Sequence, residues 1–324
     1  MKKVSIIIFI ICVGILTTAW VKNVQAAGIA EVEISAFSPP SLGSFLPPVI
    51  TAAKTDEKNG IKIKWIHKPA KAYNMSFMSG ENKIGASGAL LSNATRRAKG
   101  MKSVFLFNTF NYFGTVLTND PSIKTLKDLE GKKLAAAKVT TNYAMFRYFA
   151  KKEGLDLEKV DIQSAGIPAL LTFLTSGRVD AVQVWESAVT KIMTEQPGKY
   201  YPIFYHRKLK DYTGISVLPY LGVEAHEAWA NENPDKVQKI YKAFKDAEKW
   251  IWANREEAAK IISSKCKTPL AAIQDLLDNN ERLGLNVVPA TELESEIFKV
   301  FEMAKWEGYL KALPDKGIVY RGLK

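Results

Sequence analysis

The residues able to do bond-making chemistry are few and scattered. Gly85-Ala86-Ser87-Gly88-Ala89 comes within one residue of the G-x-S-x-G nucleophile elbow, but Ala89 stands where the second glycine belongs. The chain contains neither a GxxxxGK[ST] phosphate loop nor an HExxH zinc helix. His67, His206 and His226 are far apart in sequence, which predicts no metal site, and no cofactor motif is present. What remains is binding chemistry. Short apolar runs end in hydroxyl, amide, glycine and aromatic residues, as in Lys138-Val139-Thr140-Thr141-Asn142-Tyr143 and Trp185-Glu186-Ser187. No catalytic residue is assigned.

Those residues must be positioned by a scaffold, and the scaffold repeats itself. "FMSGENKIGASGALLS" and "FLTSGRVDAVQVWESAV" share one pattern: an apolar helix end, a small hydroxyl residue and Gly, a short apolar strand, then polar or aromatic residues. Each reads as a helix–Gly–strand unit, with Gly80 and Gly177 as C-cap glycines of positive φ.

The same alternation surrounds both. "EVEISAF" is predicted as a strand, "LPPVITAAKTDEKNG" as one helix and "IKIKWI" as a strand. "AYNMSFMSG", "KIGAS", "ALLSNATRRAKG" and "SVFLFN" follow as helix, strand, helix and strand. The order then restarts. Thr125 and Asp128 form a capping box, "TNYAMFRYFAKKEG" is a helix, and "VDIQSAG", "VDAVQVW" and "YYPIFYH" are strands. Strand–helix alternation predicts open sheets with parallel crossovers, so the class is α/β. After a last strand in "TGISVLPYLGVEAH", the chain reads as helices alone. One is long and amphipathic, with Val237, Ile240, Tyr241, Phe244, Ala247 and Ile251 on one face. That tail is expected to bury its apolar faces on the first lobe.

A chain of 324 residues with 47% apolar and 24% charged residues has material for about two ordinary domains. Lys2 and Lys3, the apolar run "VSIIIFIICVGILTTAWV" and small residues at Ala26 and Ala27 follow the order of a secretory signal, with cleavage expected after about Ala26. An uncleaved anchor is the alternative, because the run approaches spanning length. Cys12 follows Ile11 and lies too early for lipid attachment. Cys266 is then left alone, so no internal disulfide is expected. Losing Lys2, Lys3 and Lys22 lowers the formal charge from +12 to +9. Export and the even spread of lysines argue against nucleic acid as a partner.

The ordered phrases "GIKIKWI…FMSGENKIGASGALLS", "SIKTLKDLEGKKLAAAKVTTNYAMFRYFAKKEGLDLEKVDI", "ALLTFLTSGRVDAVQVWES" and "WANENPDKVQKIYKAFKDAEKWIWANREEAAKII" resemble the nitrate/sulfonate/taurine-type substrate-binding proteins of ABC importers, a group that includes thiamine-precursor binders. The resemblance covers nearly all of the chain after residue 26. It implies a two-lobed periplasmic-binding-protein-like fold of type II, with two open sheets flanked by helices and two crossover strands. The signal peptide would occupy residues 1–26, a discontinuous lobe 1 residues 27–116 and 219–324, and lobe 2 residues 117–218. It further implies a monomer in the periplasm that closes on a small molecule and presents it to an ABC permease in the inner membrane. The same fold also hosts a thiamine-pyrimidine synthase and a chorismate-dehydrating enzyme. Those, and a sensor that presents its ligand to a membrane receptor, are the alternatives.

In open α/β sheets, ligands sit beyond the carboxyl ends of strands, where helix N-termini favour anions. That places the candidates in "SPPSLGS", "SGAL" and "NYFG" of the first lobe and in "KVTTNY", "AGIP" and "VWES" of the second. Ser38, Ser41, Ser87, Asn111, Thr140, Thr141 and Asn142 are expected to hydrogen-bond the ligand, and Gly43, Gly88 and Gly166 to let it approach the backbone. Tyr112, Tyr143, Trp185 and Tyr212 are candidate flat walls, and Lys138 a partner for an anionic head group. Glu186 matches the acidic residue of the family's Trp-Glu-Pro phrase, with Ser187 in place of Pro; it would meet a positive ligand group or a hinge-side amide. Helix capping and core packing are the competing roles for each residue.

Overall fold

The structure is a computed structural model that describes residues 29–323, apart from the side chains at 167 and 168. The expected signal segment, its cleavage site and Cys12 lie outside the described residues.

Strands β1 (Ala30–Phe37) and β2 (Ile61–Lys68) show how local pattern becomes structure. They pair in parallel with Glu31 opposite Lys62 and Glu33 opposite Lys64. The four charges form outward ion pairs at 3.6 and 2.6 Å, while Val32, Ile34, Ile61 and Ile63 are buried. β3 (Ile84–Ala89), β4 (Ser103–Asn111), β10 (Pro219–His226) and β11 (Leu285–Pro289) complete a sheet of order β2-β1-β3-β10-β4-β11. β10 runs antiparallel to both β3 and β4, so the sheet is mixed rather than parallel throughout.

Helix α1 (Leu46–Ala53) ends where Lys54 takes a left-handed conformation, φ 52°, and α2 (Thr55–Lys58) starts anew. The single helix expected there is therefore two, broken without a glycine. α3 (Ala70–Met78) and the helix Ile167–Thr175 stop as read, at Gly80 with φ 76° and Gly177 with φ 71°. α4 (Leu90–Ala98), α9 (Glu227–Glu232) and the long α10 (Pro234–Ala253) also flank this sheet. In α10, Val237, Ile240, Phe244, Ala247 and Ile251 are buried at helical spacing, and Phe244 stacks edge-on to Phe107 at 5.3 Å. α11 (Arg255–Cys266), α12 (Leu270–Asp278) and α13 (Asn280–Leu283) follow, the last two split at Asn279. The tail is not helical throughout: β11 adds an edge strand to β4, pairing Leu285 with Phe110.

The second sheet has the order β7-β6-β8-β5-β9, from β5 (Thr115–Thr118), β6 (Lys133–Ala136), β7 (Asp161–Ser164), β8 (Ala181–Val184) and β9 (Tyr201–Ile203). Helices α5 (Thr141–Lys152), α6 (Ile167–Thr175), α7 (Ala188–Glu195) and α8 (Leu209–Thr213) flank it. The expected capping box is present, with Asp128 accepting from the Thr125 backbone N–H at 2.8 Å.

Three residues, 112–114, carry the chain from the end of β4 to the start of β5. Asn111 lies opposite Pro219, and Thr115 opposite Val184. So short a link forces the edge of the first sheet where β1, β3 and β4 end to face the edge of the second where β6 and β8 end. The returning segment runs beside the outgoing one: Tyr112 N–H donates to Leu218 O at 2.7 Å.

One apolar cluster lies within the first sheet's layers and another within the second's. A third joins the two lobes. Leu90 and Ala94 of α4, Ile297, Val300 and Phe301 of α14 (Glu294–Trp306), and Phe146 and Phe149 of α5 belong to it. The last helix of the tail is thus shared between lobes.

Candidate functional site

The boundary between the facing edges is built around three phenols, Tyr112 and Tyr205 buried and Tyr220 half-buried. Tyr112 sits on the outgoing crossover and Tyr220 at the start of β10. Tyr112 Oη lies 2.7 Å from Tyr205 Oη and donates to Asn142 O at 3.2 Å. Asn142 Nδ2 donates to Tyr220 Oη at 2.6 Å, and Gln183 Nε2 to Tyr205 Oη at 3.2 Å. Burial raises all three phenol pKa values, Tyr220 to about 12, so each remains a neutral donor and acceptor. Asn142 Oδ1 and Gln183 Oε1 are buried acceptors without a hydrogen-bond partner. An orphaned buried acceptor costs about 1–3 kcal/mol, so this network is short of donors.

Asn142 stands in the first turn of α5. Thr140 caps that helix, its Oγ1 accepting from Tyr143 N–H at 3.2 Å and donating to Ala137 O at 2.8 Å. Thr141, Tyr112, Tyr220 and Met145 line a pocket of about 10 Å³ at the lobe boundary.

The Trp185-Glu186-Ser187 turn makes a second bridge. Glu186 accepts from Thr190 N–H at 3.0 Å and Thr190 Oγ1 at 2.8 Å, so its carboxyl caps α7. Its Oε1 is 4.0 Å from Arg282 Nη1 of α13, and Arg282 also pairs with Asp275. Burial outweighs these partners and pushes the Glu186 pKa up to about 7. Ser187 Oγ donates to Pro40 O at 2.8 Å, across the boundary. Trp185 is half-buried against the apolar cluster of the second lobe.

The structure therefore brings together Tyr112, Thr141 and Asn142 at the boundary, and Ser187 with the Pro40 loop at a second contact across it. Ser38 and Ser41 are half-buried in the loop that carries Pro40, and Ser41 Oγ accepts from Gly43 N–H at 3.3 Å. Lys138 and Gly166 are exposed. Other candidates serve inside a lobe. Ser87 Oγ accepts from Phe37 N–H and donates to Gly43 O, both at 2.9 Å. A Cβ on Gly43 would meet Ser87 Cβ at 2.7 Å, and one on Gly88 would meet Glu224 Cγ at 2.6 Å, so these glycines let protein atoms rather than a ligand approach. Asn111 Oδ1 accepts from Asn108 at 3.2 Å and Asn286 at 3.3 Å. Tyr143 is buried in the lobe-bridging cluster. Tyr212 packs beside Phe149, eight residues along α5 from Thr141 and about 12 Å at 1.5 Å per residue.

Sequence reading missed Tyr220, Tyr205, Gln183, Pro40 and Arg282. It also missed a buried cluster within the first lobe, where Glu224 accepts from Tyr73 Oη at 3.1 Å and pairs with Arg96. The histidines remain separate: His67 contacts Phe37 O, His206 Gly114 O and His226 Phe77 O.

Two α/β sheets facing each other across a doubly crossed connection define the periplasmic-binding-protein fold. The family described as NMT1/THI5 like matches residues 56–258, and the chain belongs to it. A Brucella abortus (strain 2308) protein named as a binding protein is 22% identical over 237 residues, 73% of this chain and 68% of the relative. A Bacillus subtilis (strain 168) protein named for aliphatic sulfonate binding is 24% identical over 235 residues, 70% of this chain and 67% of the relative. Among solved structures, the periplasmic aliphatic sulphonate binding protein SsuA from Escherichia coli superposes with TM-score 0.75 at 16% identity, covering 90% of this chain and 92% of that one. The alkanesulfonate-binding protein SsuA from Xanthomonas axonopodis pv. citri bound to MOPS gives TM-score 0.69 at 16% identity, covering 90% and 96%.

Proposed function

We propose that this protein is the extracytoplasmic solute-binding component of an ABC importer. It captures a small organic molecule, anionic or planar and aromatic, between its two lobes and hands it to an inner-membrane permease. The observation that carries the reading is the pair of facing strand edges, with the first turn of α5 and the Trp185 turn on one side and Ser38–Ser41, Tyr112 and Tyr220 on the other. Relatives named for sulfonate binding make alkyl sulfonates the first ligands to try. In this reading Thr140, Thr141 and the α5 N-terminus face the ligand's acidic group with Lys138 at the rim, and Trp185 supplies a flat wall. Glu186 holds α7 and the lobe contact rather than the ligand. The chain works as a monomer in the periplasm and acts as a binder, not an enzyme.

The test is a thermal-shift screen with alkyl sulfonates, carboxylates, nitrate and pyrimidines, followed by recovery of the compound. A binder gains melting temperature and returns its ligand chemically unchanged. Thr141→Ala and Trp185→Ala reduce the shift while the protein stays folded. A converted compound would identify an enzyme, and an unchanged shift in both variants would move the pocket elsewhere.

A further inference from the structure

A groove of about 860 Å³ lies beside α1, α11 and β2, and every residue lining it belongs to the first sheet's lobe. Its walls are mainly apolar, with Pro47 and Pro48 from α1, Trp65 from β2 and Ile261 from α11. On α11, Lys260 and Ser264 are four residues apart, as are Ile261 and Lys265, so all four present neighbouring stripes of that helix to the groove. No Asp or Glu lines it, and neither Lys260 nor Lys265 has a hydrogen-bond or ion-pair partner among the described residues. Trp65 Nε1 is a buried donor without an acceptor. The volume falls within the range of about 300–1,000 Å³ typical of small-molecule sites.

We propose that this groove is a second ligand site that takes an amphiphilic monoanion, its apolar body against Trp65, Pro47, Pro48 and Ile261 and its carboxylate or sulfonate between Lys260 and Lys265. Unpaired lysines beside an apolar wall suit such a molecule. A neutral apolar compound would leave the ammonium groups unanswered, and a small inorganic anion would leave the wall wet. The site meets the lobe boundary only at Pro39 and does not depend on the importer reading. Pro39 lines one end of the groove, next to Pro40, whose carbonyl accepts from Ser187 of the second lobe. An occupant therefore rests against the loop that touches that lobe.

Calorimetric titration of the purified protein with naphthalene-2-carboxylate, and with the neutral naphthalene-2-carboxamide, tests this. The binding that Ser264→Trp removes is expected to be one to one and about tenfold tighter for the carboxylate than for the amide, the size of one charge-assisted contact. The double variant Lys260→Gln/Lys265→Gln loses about that factor. Ser264→Trp, an exposed position, fills the groove and abolishes binding, whereas Thr141→Ala leaves it unchanged. Absence of binding to about 5 mM overturns the proposal, as does equal affinity for the amide. Loss in Thr141→Ala with the lysine variant unaffected would also overturn it, by placing the probe at the lobe boundary; a failed thermal-shift screen would not touch it.

Discussion

The two flanks of the lobe boundary are made of opposite materials. On one, α14 is wedged between α4 and α5, and Phe301, Phe146 and Phe149 are fully buried in a core that belongs to both lobes. On the other, α7 lies against α12, and the side-chain bonds between lobes are polar: Ser187 to Pro40, Arg282 and Asp275 beside Glu186, and Arg207 with Glu281 at 2.7 and 3.0 Å. Apolar packing is non-directional and costly to open, because it exposes area to water. Polar bridges exchange with water at about 0.5–1.5 kcal/mol each. The lobes should accordingly part on the polar flank and pivot on the apolar one, as hinged domains do.

The largest expected effect is at the apolar flank. Phe301→Ala leaves a cavity between lobes and should cost about 3–5 kcal/mol in denaturant unfolding, with the transition broadening if the lobes uncouple. A loss below about 1 kcal/mol would mean that α14 does not bind the lobes together.

Next comes Glu186. Its folded pKa of about 7 lies above the ordinary 4.5, so the folded state prefers the protonated carboxyl. The stability this gives is complete below about 4.5 and lost as pH rises through about 7. The gap corresponds to roughly 3 kcal/mol between pH 5 and 8 as an upper bound. Glu186→Gln keeps an acceptor for Thr190 and removes the titration, so its unfolding free energy should fall less over that range than the wild type's. Identical pH profiles would remove Glu186 from the account.

Ser187→Ala removes one cross-lobe hydrogen bond. It should cost about 0.5–1.5 kcal/mol of closure, read as up to about tenfold weaker ligand binding with little change in melting temperature. The smallest effect belongs to Glu281→Gln. Arg207 and Glu281 are both more than half exposed, so stability should change by less than about 1 kcal/mol, and less still at high salt.

Elements with strong local signals were legible in the sequence. The capping box at Thr125, the glycine stops at 80 and 177 and the apolar stripe of α10 all follow from neighbours within a few residues. β11 was not read, because five residues after Gly284 are lost in a helical tail; Val287 and Val288 are the β-branched signal that could have found it. The break at Lys54 was hidden because it uses no glycine or proline. The loops at the facing strand edges followed from topology, and Tyr112, Thr141 and Asn142 meet there. Their partners did not follow, since Tyr220 is 78 residues from Asn142 and Pro40 is 147 residues from Ser187. Ser87, Gly43 and Gly88 show the converse limit: composition cannot tell a hydroxyl or glycine turned to a ligand from one used by a neighbouring strand.

The most direct measurement uses two pairs of spin labels. One pair spans the polar flank, on Lys191 of α7 and Leu270 of α12; the other spans the apolar flank, on Lys152 of α5 and Lys305 of α14. With the compound found by thermal shift, the polar-flank distance should collapse from a broad, longer distribution to one short value, while the apolar-flank distance stays fixed. Equal movement on both flanks, or none on either at saturation, would contradict a hinge built from one apolar and one polar seam.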